Sequence, residues 1–169
     1  MSQSNADAAI VPRAAVSAAI FREGRVLLVK RRRPPSAELW SLPGGHIEPG
    51  ETALDAVHRE LREETAVTAR IAEIAGVVDV IHRNDSGELL FHRVVIVFCG
   101  EWLSGEPEAG DDAAAAAWYN LLALEGLATT KGLSGIVRGA AAKFFQPGQR
   151  AGIVPSGSRC IIARLGLPR

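Results

Sequence analysis

The sequence predicts an α/β fold in which a mixed β-sheet is packed with two main helices. Two observations support this expectation. Apolar, β-leaning segments alternate with turn residues, and two segments repeat apolar residues at helical spacing. The length of 169 residues suits one domain with an ordinary core. We expect a flexible N-terminal arm over residues 1–13, a single folded domain over 14–146 and a loose C-terminal tail over 147–169.

The predicted strands begin with a hairpin. Residues 16–21 and 25–30 are apolar and flank the turn pair Glu23-Gly24. A basic, proline-broken loop follows, and a short strand then leads into Pro43-Gly44-Gly45. The remaining predicted strands cover residues 39–42, 68–81, 89–99 or a little beyond, and 116–121.

Two helices are predicted from caps and periodicity. Thr52 is placed as an N-cap with Asp55 at the third helical position, which favours a helix over residues 53–65. A second helix is predicted over about residues 130–145. Its apolar positions are Leu133, Ile136, Val137, Ala140 and Phe144.

The composition excludes several classes of function. Lys+Arg and Asp+Glu are both 19, so the balanced charge gives no reason to expect bulk nucleic acid or an anionic membrane as a partner. No apolar run approaches the ~20 residues of a membrane helix, and the first residues lack the layout of a signal peptide. Cys99 and Cys160 are too far apart to suggest a disulfide framework or a metal site. We therefore expect a cytoplasmic protein.

The first helix ends in a cluster of acids. At about 100° per residue, Glu60, Glu63 and Glu64 fall within an arc of roughly 100°, beside the aliphatic stripe of the helix. One interpretation is a solvated acidic face, because exposed like-charge pairs cost only ~0.2–0.5 kcal/mol each. The other is a metal site. The helix alone does not decide between them.

The spacing before the helix favours the metal site. Gly45 is followed by five residues, Glu51, seven residues, Arg59-Glu60-Leu61, one residue and then Glu63-Glu64. This pattern resembles the Nudix box, G-x5-E-x7-R-E-U-x-E-E-x-G-U, where U is a bulky aliphatic residue. Six polar or glycine identities at background frequencies of roughly 6% each make chance agreement on the order of one in ten million per start position.

The resemblance implies a Nudix hydrolase, with a mixed β-sheet sandwiched between α-helices and cleavage of a nucleoside diphosphate linked to another moiety. It implies Mg²⁺ or Mn²⁺, hard cations that take carboxylate and carbonyl oxygens and that activate a bound water. The implied metal ligands are the Gly44 carbonyl, Glu60, Glu63 and Glu64. Glu63 and Glu64 are also the implied catalytic residues, and Gly45, Glu51 and Arg59 structure the site.

One position departs from the box. Ala66 stands where the family has glycine. A glycine just past a helix usually adopts a positive φ, which costs alanine roughly 1 kcal/mol. We expect this departure to affect local stability more than activity.

Residues outside the box complete the predicted site. The family often supplies a further acid from a later loop, and we choose Asp112 as that catalytic residue. The other candidates are Glu106, Glu108 and Asp111. The alternative for all four is an ordinary solvated acidic turn. Arginine suits bidentate phosphate contacts, so Arg31, Arg32 and Arg33 are candidate substrate-binding residues, with a merely basic surface loop as the alternative.

The substrate is a small nucleotide under every reading. Residues 76–81, 84–92 and 105–113 resemble the bacterial ADP-ribose pyrophosphatase branch of the family. This implies hydrolysis of ADP-ribose or an ADP-sugar to AMP and a sugar phosphate, and it leaves a homodimer open. The first alternative is a nucleotide-pool enzyme that hydrolyses a modified nucleoside triphosphate to the monophosphate. The second is a non-catalytic nucleotide sensor, against which the intact glutamates argue.

Overall fold

A computed structural model of the chain describes residues 10–110 and 112–145. The strands are β1 (Arg13–Arg22), β2 (Arg25–Arg31), β3 (Trp40–Ser41), β4 (Thr68–Arg83), β5 (Leu89–Ser104) and β6 (Ala113–Asn120). The helices are α1 (Ala53–Thr65) and α2 (Leu133–Phe145), with a 3-10 helix over Leu121–Gly126. Most of the predicted N-terminal arm and all of the predicted tail lie outside the described residues.

The sheet is mixed, as predicted. Its strand order is β3-β2-β1-β5-β4, and β6 pairs with β2. Strand β5 runs parallel to β1, whereas the pairs β1–β2, β2–β6 and β4–β5 are antiparallel. The β4–β5 hairpin extends past the start of β1, because the β1–β5 ladder begins only at Arg13 and Arg93 while β4–β5 pairing continues to Arg83 and Leu89.

Apolar clusters cover both faces of the sheet. Helix α1 contributes Ala56, Val57 and Leu61 to a cluster whose sheet members include Ile20 and Phe98. On the opposite face, α2 contributes residues to a second cluster. Its members include Leu133, Val137 and Ala140 from α2 and Phe21, Val26, Leu28, Val97 and Cys99 from the sheet. The sheet therefore lies between the two helices, which is the predicted layer arrangement.

Several predicted boundaries are shifted by three residues, among them the starts of β1, β6 and α2. Strand β6 begins at Ala113 rather than near Ala116, because its alanines extend the pairing with β2 as far as Arg31. Helix α2 begins at Leu133 rather than Thr130, because Gly132 has φ 82° and the Leu133 N–H donates to the Thr130 carbonyl in a turn. Within the described residues, no helix has the length and apolar character needed to cross a membrane.

The glycine-rich loop before α1 lies along one edge of β1. The Ala18 N–H donates to the Pro43 carbonyl at 2.9 Å, and the Val16 N–H donates to the Gly45 carbonyl at 2.9 Å. The Ile47 N–H donates to the Ala14 carbonyl of β1 at 3.2 Å. Backbone bonds thus fix this loop against the centre of the sheet, directly opposite the end of α1 that bears the glutamates.

Candidate active site

Helix α1 is capped at both ends as its sequence predicts. At the N-terminus, the Thr52 Oγ1 accepts a hydrogen bond from the Asp55 N–H at 3.1 Å. At the C-terminus, Ala66 adopts φ 56° in the left-handed region, and its N–H donates to the Arg62 carbonyl. The caps hold the last turn in a fixed position, and that turn carries Glu63 and Glu64.

Arg59 joins the preceding loop to the helix. Its Nε donates to Glu51 Oε1 at 2.9 Å, and its Nη2 donates to Glu51 Oε2 at 3.0 Å. The same Nη2 also donates to the His46 carbonyl at 3.1 Å. These bonds lower the pKa of the Glu51 carboxyl. The bidentate pair therefore joins the loop to α1.

Arg59 also orders two of the clustered glutamates. Its Nη1 donates to Glu60 Oε1 at 2.9 Å and to Glu63 Oε2 at 3.2 Å. The Glu60 side chain is only 14% exposed. Burial raises the pKa of Glu60, and the contact with Arg59 opposes that rise. The Glu63 side chain is 60% exposed, so it faces the solvent side of the cluster.

Glu64 faces inward, towards the glycine loop. Its Oε2 accepts a hydrogen bond from the Gly44 N–H at 2.8 Å. Burial raises the pKa of Glu64 to about 7, the Gly44 contact opposes this, and Glu60 and Asp112 add to it. A carboxylate in this position is poorly solvated, so its negative charge is destabilised. A cation bound beside it would restore much of that lost stabilisation.

Gly44 is sterically required by the backbone of β1, whereas a side chain on Gly45 would displace the Glu60 carboxylate. Gly44 has φ 151°, and a Cβ there would lie 2.1 Å from the Val16 carbonyl oxygen. A Cβ on Gly45 would lie 2.3 Å from Glu60 Oε1. The absence of both side chains lets the loop backbone reach the carboxylates of α1.

The donor set fits a hard divalent cation. Among the described residues, no three His, Cys, Asp or Glu side chains already form a metal cluster. Within the described part of the chain, however, Glu60, Glu63 and Glu64 each form their hydrogen bonds through one oxygen. The second oxygen of each carboxylate is therefore available, and oxygen is the ligand that Mg²⁺ and Mn²⁺ prefer.

The loop after β5 rests on the C-terminus of α1. The Glu108 N–H donates to the Thr65 carbonyl at 3.0 Å, and the Gly110 N–H donates to the Glu64 carbonyl at 3.1 Å. A Cβ on Gly110 would lie 1.8 Å from the Glu63 carbonyl oxygen. These contacts satisfy carbonyls that end the helix, and they tie the loop backbone to the two glutamates.

Arg22 anchors the same loop from the sheet. It forms an ion pair with Glu106 at 2.7 Å and lies over the Trp102 ring, 4.0 Å from its centroid. Asp112 comes directly before β6, not several residues before it, and pairs with Arg33 at 3.0 Å. The Asp112 charge acts on the pKa of Glu64, so Asp112 lies near the cluster, whereas Asp111 lies outside the described residues.

A cleft opens beside the glycine loop. It has a volume of about 600 Å³ and lies between β1, the outer β4–β5 hairpin and the start of α2. Gly44, Gly45 and Arg31 line it, whereas Arg32 and Arg33 do not and are exposed. Of the three arginines predicted to bind substrate, the structure therefore brings only Arg31 to the cleft.

The sequence reasoning missed Arg93, which lines the same cleft. The signal was present, because Arg93 is the only Lys, Arg, Asp or Glu in the mainly apolar run of residues 89–100. It also missed Gly110, whose close approach to α1 depends on a contact between residues far apart in sequence.

Comparison with known proteins identifies the family. The NUDIX domain family matches residues 11–136, about three quarters of the chain. The chain belongs to the Nudix family. The crystal structure of a MutT NUDIX hydrolase from Burkholderia pseudomallei superposes with a TM-score of 0.65 and 35% sequence identity, covering 76% of this chain and 97% of that one. The shared fold accounts for the mixed sheet with helices on both faces.

Curated relatives of this Nudix chain carry several activities in their names. The ADP-ribose pyrophosphatase of Methanocaldococcus jannaschii is 38% identical over 117 residues, which cover 69% of this chain and 67% of that protein. The putative ADP-ribose pyrophosphatase YjhB of Bacillus subtilis is 32% identical over 108 residues. The match covers 64% of this chain and only half of the length of YjhB. The putative 8-oxo-dGTP diphosphatase 2 of Mycobacterium tuberculosis is 40% identical over 103 residues, 59% of this chain and 67% of that protein.

Proposed function

We propose that this Nudix protein hydrolyses the pyrophosphate bond of a nucleoside diphosphate linked to another moiety. ADP-ribose or an ADP-sugar is the proposed substrate, and AMP and a sugar phosphate are the products. One observation carries the proposal: the glutamates at the end of α1 meet the Gly44–Gly45 loop at the wall of a cleft that Arg31 and Arg93 also line. The acidic groups behind this loop and the basic groups in the cleft together suit a metal-bound diphosphate. The relatives named ADP-ribose pyrophosphatases support this substrate class.

Glu60, Glu63 and Glu64 would hold Mg²⁺ or Mn²⁺ together with the Gly44 carbonyl. The bound ion supplies positive charge for the phosphates and lowers the pKa of an attacking water. Arg59 keeps Glu60 and Glu63 oriented, and the Gly44 N–H keeps Glu64 oriented. A box glutamate or Asp112 accepts the proton of the attacking water, which needs a group within hydrogen-bond reach and a pKa suited to the working pH.

A product panel tests the reaction. The protein is incubated with ADP-ribose, ADP-glucose, NADH, diadenosine polyphosphates and nucleoside triphosphates, with Mg²⁺ and then with Mn²⁺, and the products are separated chromatographically. We expect AMP and ribose 5-phosphate from ADP-ribose at the highest kcat/KM. Glu64→Gln and Glu60→Gln should each lose most of this activity, because a neutral amide is a weaker ligand than a carboxylate. Near wild-type turnover of both variants at saturating Mg²⁺ would contradict the proposal.

A second candidate is a nucleotide-pool enzyme acting on modified nucleoside triphosphates. The relative from Mycobacterium tuberculosis named a putative 8-oxo-dGTP diphosphatase favours it. The same panel separates the two candidates, because this reaction yields a nucleoside monophosphate and inorganic pyrophosphate. A higher kcat/KM for 8-oxo-dGTP than for ADP-ribose would select the second candidate and reject the first.

A further inference from the structure

The cleft carries more positive charge than its own acids neutralise. Arg31, Arg93 and Lys131 line it, and Asp79 is its one lining carboxylate among the described residues. Asp79 is already engaged, since its Oδ1 lies 2.9 Å from His92 Nε2. The cleft is therefore set up to receive an anion.

Arg31 and Arg93 have no carboxylate partner in the described parts of the chain. Most other arginines have one. The paired arginines there are Arg22, Arg25, Arg33, Arg59, Arg70 and Arg138. The Nε of Arg31 is moreover buried without a hydrogen-bond partner. A buried donor without a partner costs free energy, and a ligand oxygen would remove that cost.

Arg93 is held in place by aromatic rings. Its guanidinium carbon lies 4.6 Å from the centroid of the Phe91 ring, and Phe91 stacks with His82 at 5.2 Å between centroids and 24° between planes. All three residues line the cleft. A guanidinium supported on a ring loses less freedom when it binds, which favours its use as an anion ligand.

The position of Arg93 is costly in the free protein. Burial is the largest cause of its lowered pKa, and the charges of Arg31 and Arg13 lower it further. Three like charges that repel one another beside a cleft destabilise the fold unless a ligand offsets them. A purely structural role does not explain such an arrangement, because an apolar side chain at residue 93 would pack on Phe91 without the repulsion.

We propose that Arg93, acting with Arg31, binds the phosphate groups of the substrate and so selects diphosphate-bearing nucleotides over their nucleosides. This inference rests on the proposed function, because it assigns a binding role within the same cleft. Arginine suits the role, since its planar guanidinium donates two parallel hydrogen bonds to phosphate oxygens. Arg93 is a binding residue here and takes no part in the chemical step.

Calorimetric binding of ADP and of adenosine, at low ionic strength and with EDTA present, tests the inference. The two probes share the base and ribose and differ in the diphosphate. The full-length wild-type chain should bind ADP more tightly than adenosine. Arg93→Met should weaken ADP binding by about 10-fold or more and change adenosine binding by less than about 2-fold. Arg93→Lys should fall between wild type and Arg93→Met, because it keeps the charge but not the planar fork.

A thermal melt supplies a second readout with a distinctive sign. Without ligand, Arg93→Met should melt at a higher temperature than wild type, because it removes an unpaired cation, whereas loss of a structural contact would lower the melting temperature. Arg83→Met is the matched control. Arg83 lies at the exposed end of the β4–β5 hairpin, which also carries Arg93. It donates to the Gly87 carbonyl at 2.9 Å and does not line the cleft. ADP binding should be unchanged in this variant.

Several outcomes would overturn the inference. They are equal affinity of wild type for ADP and adenosine, wild-type ADP binding by Arg93→Met, or equal losses of ADP and adenosine binding in that variant. A fall in ADP binding by Arg83→Met as large as that by Arg93→Met would also reject it, since nonspecific charge would then explain the effect. Binding is measured without metal and without turnover, so its failure leaves the proposed hydrolysis standing. Absence of hydrolysis would likewise leave the binding result intact.

Discussion

Ala66 stores backbone strain at the end of the site helix. Its φ is 56°, in the left-handed region that the Nudix box fills with glycine. We predict that Ala66→Gly raises the free energy of unfolding by roughly 0.5–1 kcal/mol, because glycine adopts this conformation without the clash of a Cβ. Thermal and urea melts measure the effect. A lower melting temperature for Ala66→Gly would show that the greater freedom of glycine in the unfolded chain outweighs the relief of strain.

Glu64 makes the stability of the metal-free protein depend on pH. Its pKa is raised from 4.5 to about 7, so its contribution to stability is fully present below pH 4.5 and is lost as the pH rises through about 7. At 1.36 kcal/mol per pKa unit, the loss is on the order of 3 kcal/mol. In EDTA, the melting temperature of wild type relative to Glu64→Gln should therefore fall between pH 5 and pH 8. A constant difference across that range would contradict the assignment.

Asp112 and Glu108 lie in one acidic loop but differ in their surroundings. Asp112 influences the pKa of Glu64, whereas Glu108 contacts α1 through its backbone N–H and its side chain is exposed. If Asp112 is the base or a ligand of a second ion, Asp112→Asn should lower kcat by about 10²-fold or more and leave KM within a few-fold. Glu108→Gln is the matched control and should change little. Small and equal effects of the two substitutions in steady-state assays would show that the loop is an ordinary solvated acidic turn.

Gly110 links two elements, the β5–β6 loop and the last turn of α1. A Cβ at residue 110 would meet the Glu63 carbonyl oxygen at 1.8 Å, so Gly110→Ala must push the loop away from the helix. We predict a loss of about 1–3 kcal/mol in the free energy of unfolding, because the carbonyls of Glu64 and Thr65 lose their partners. The value of kcat should fall as well, since the displaced loop carries Asp112.

Gly139→Ala provides the control of opposite sign. Gly139 is exposed in the interior of α2, and a Cβ there would meet no atom within 4 Å. Alanine should therefore raise the free energy of unfolding by roughly 0.5–1 kcal/mol. If denaturant melts show that both substitutions shift stability in the same direction, the close approach at Gly110 does not govern the loop.

The elements that could be predicted are those specified by local sequence. The bounds of α1 match the prediction at both ends, because the Thr52 cap and the aliphatic stripe are both features of the local sequence. The glutamates proposed to bind metal follow from the same local spacing. By contrast, the contact of Gly110 with Glu63 and the convergence of Arg31 and Arg93 depend on how distant strands pair. No local rule specifies such pairing.

At the scale of the whole molecule, the site and the core are separate. Two apolar clusters, one under each helix, account for the packing of the sheet. The glutamates lie at the edge of the α1 stripe and belong to neither cluster. We therefore expect stability to come mainly from apolar burial and the proposed activity to depend on carboxylates outside the core.

Removal of metal should therefore separate activity from folding. We predict that EDTA abolishes hydrolysis while the far-UV circular dichroism spectrum and a single cooperative melt persist. Added Mg²⁺ should raise the melting temperature only by mass action. When the free ion is at 100 times its dissociation constant, the free energy of unfolding should rise by about 2.7 kcal/mol. In Glu64→Gln this rise should be much smaller, because a ligand oxygen with full charge is missing. Loss of the circular dichroism signal in EDTA would contradict the separation, since it would show that the ion is part of what folds the chain.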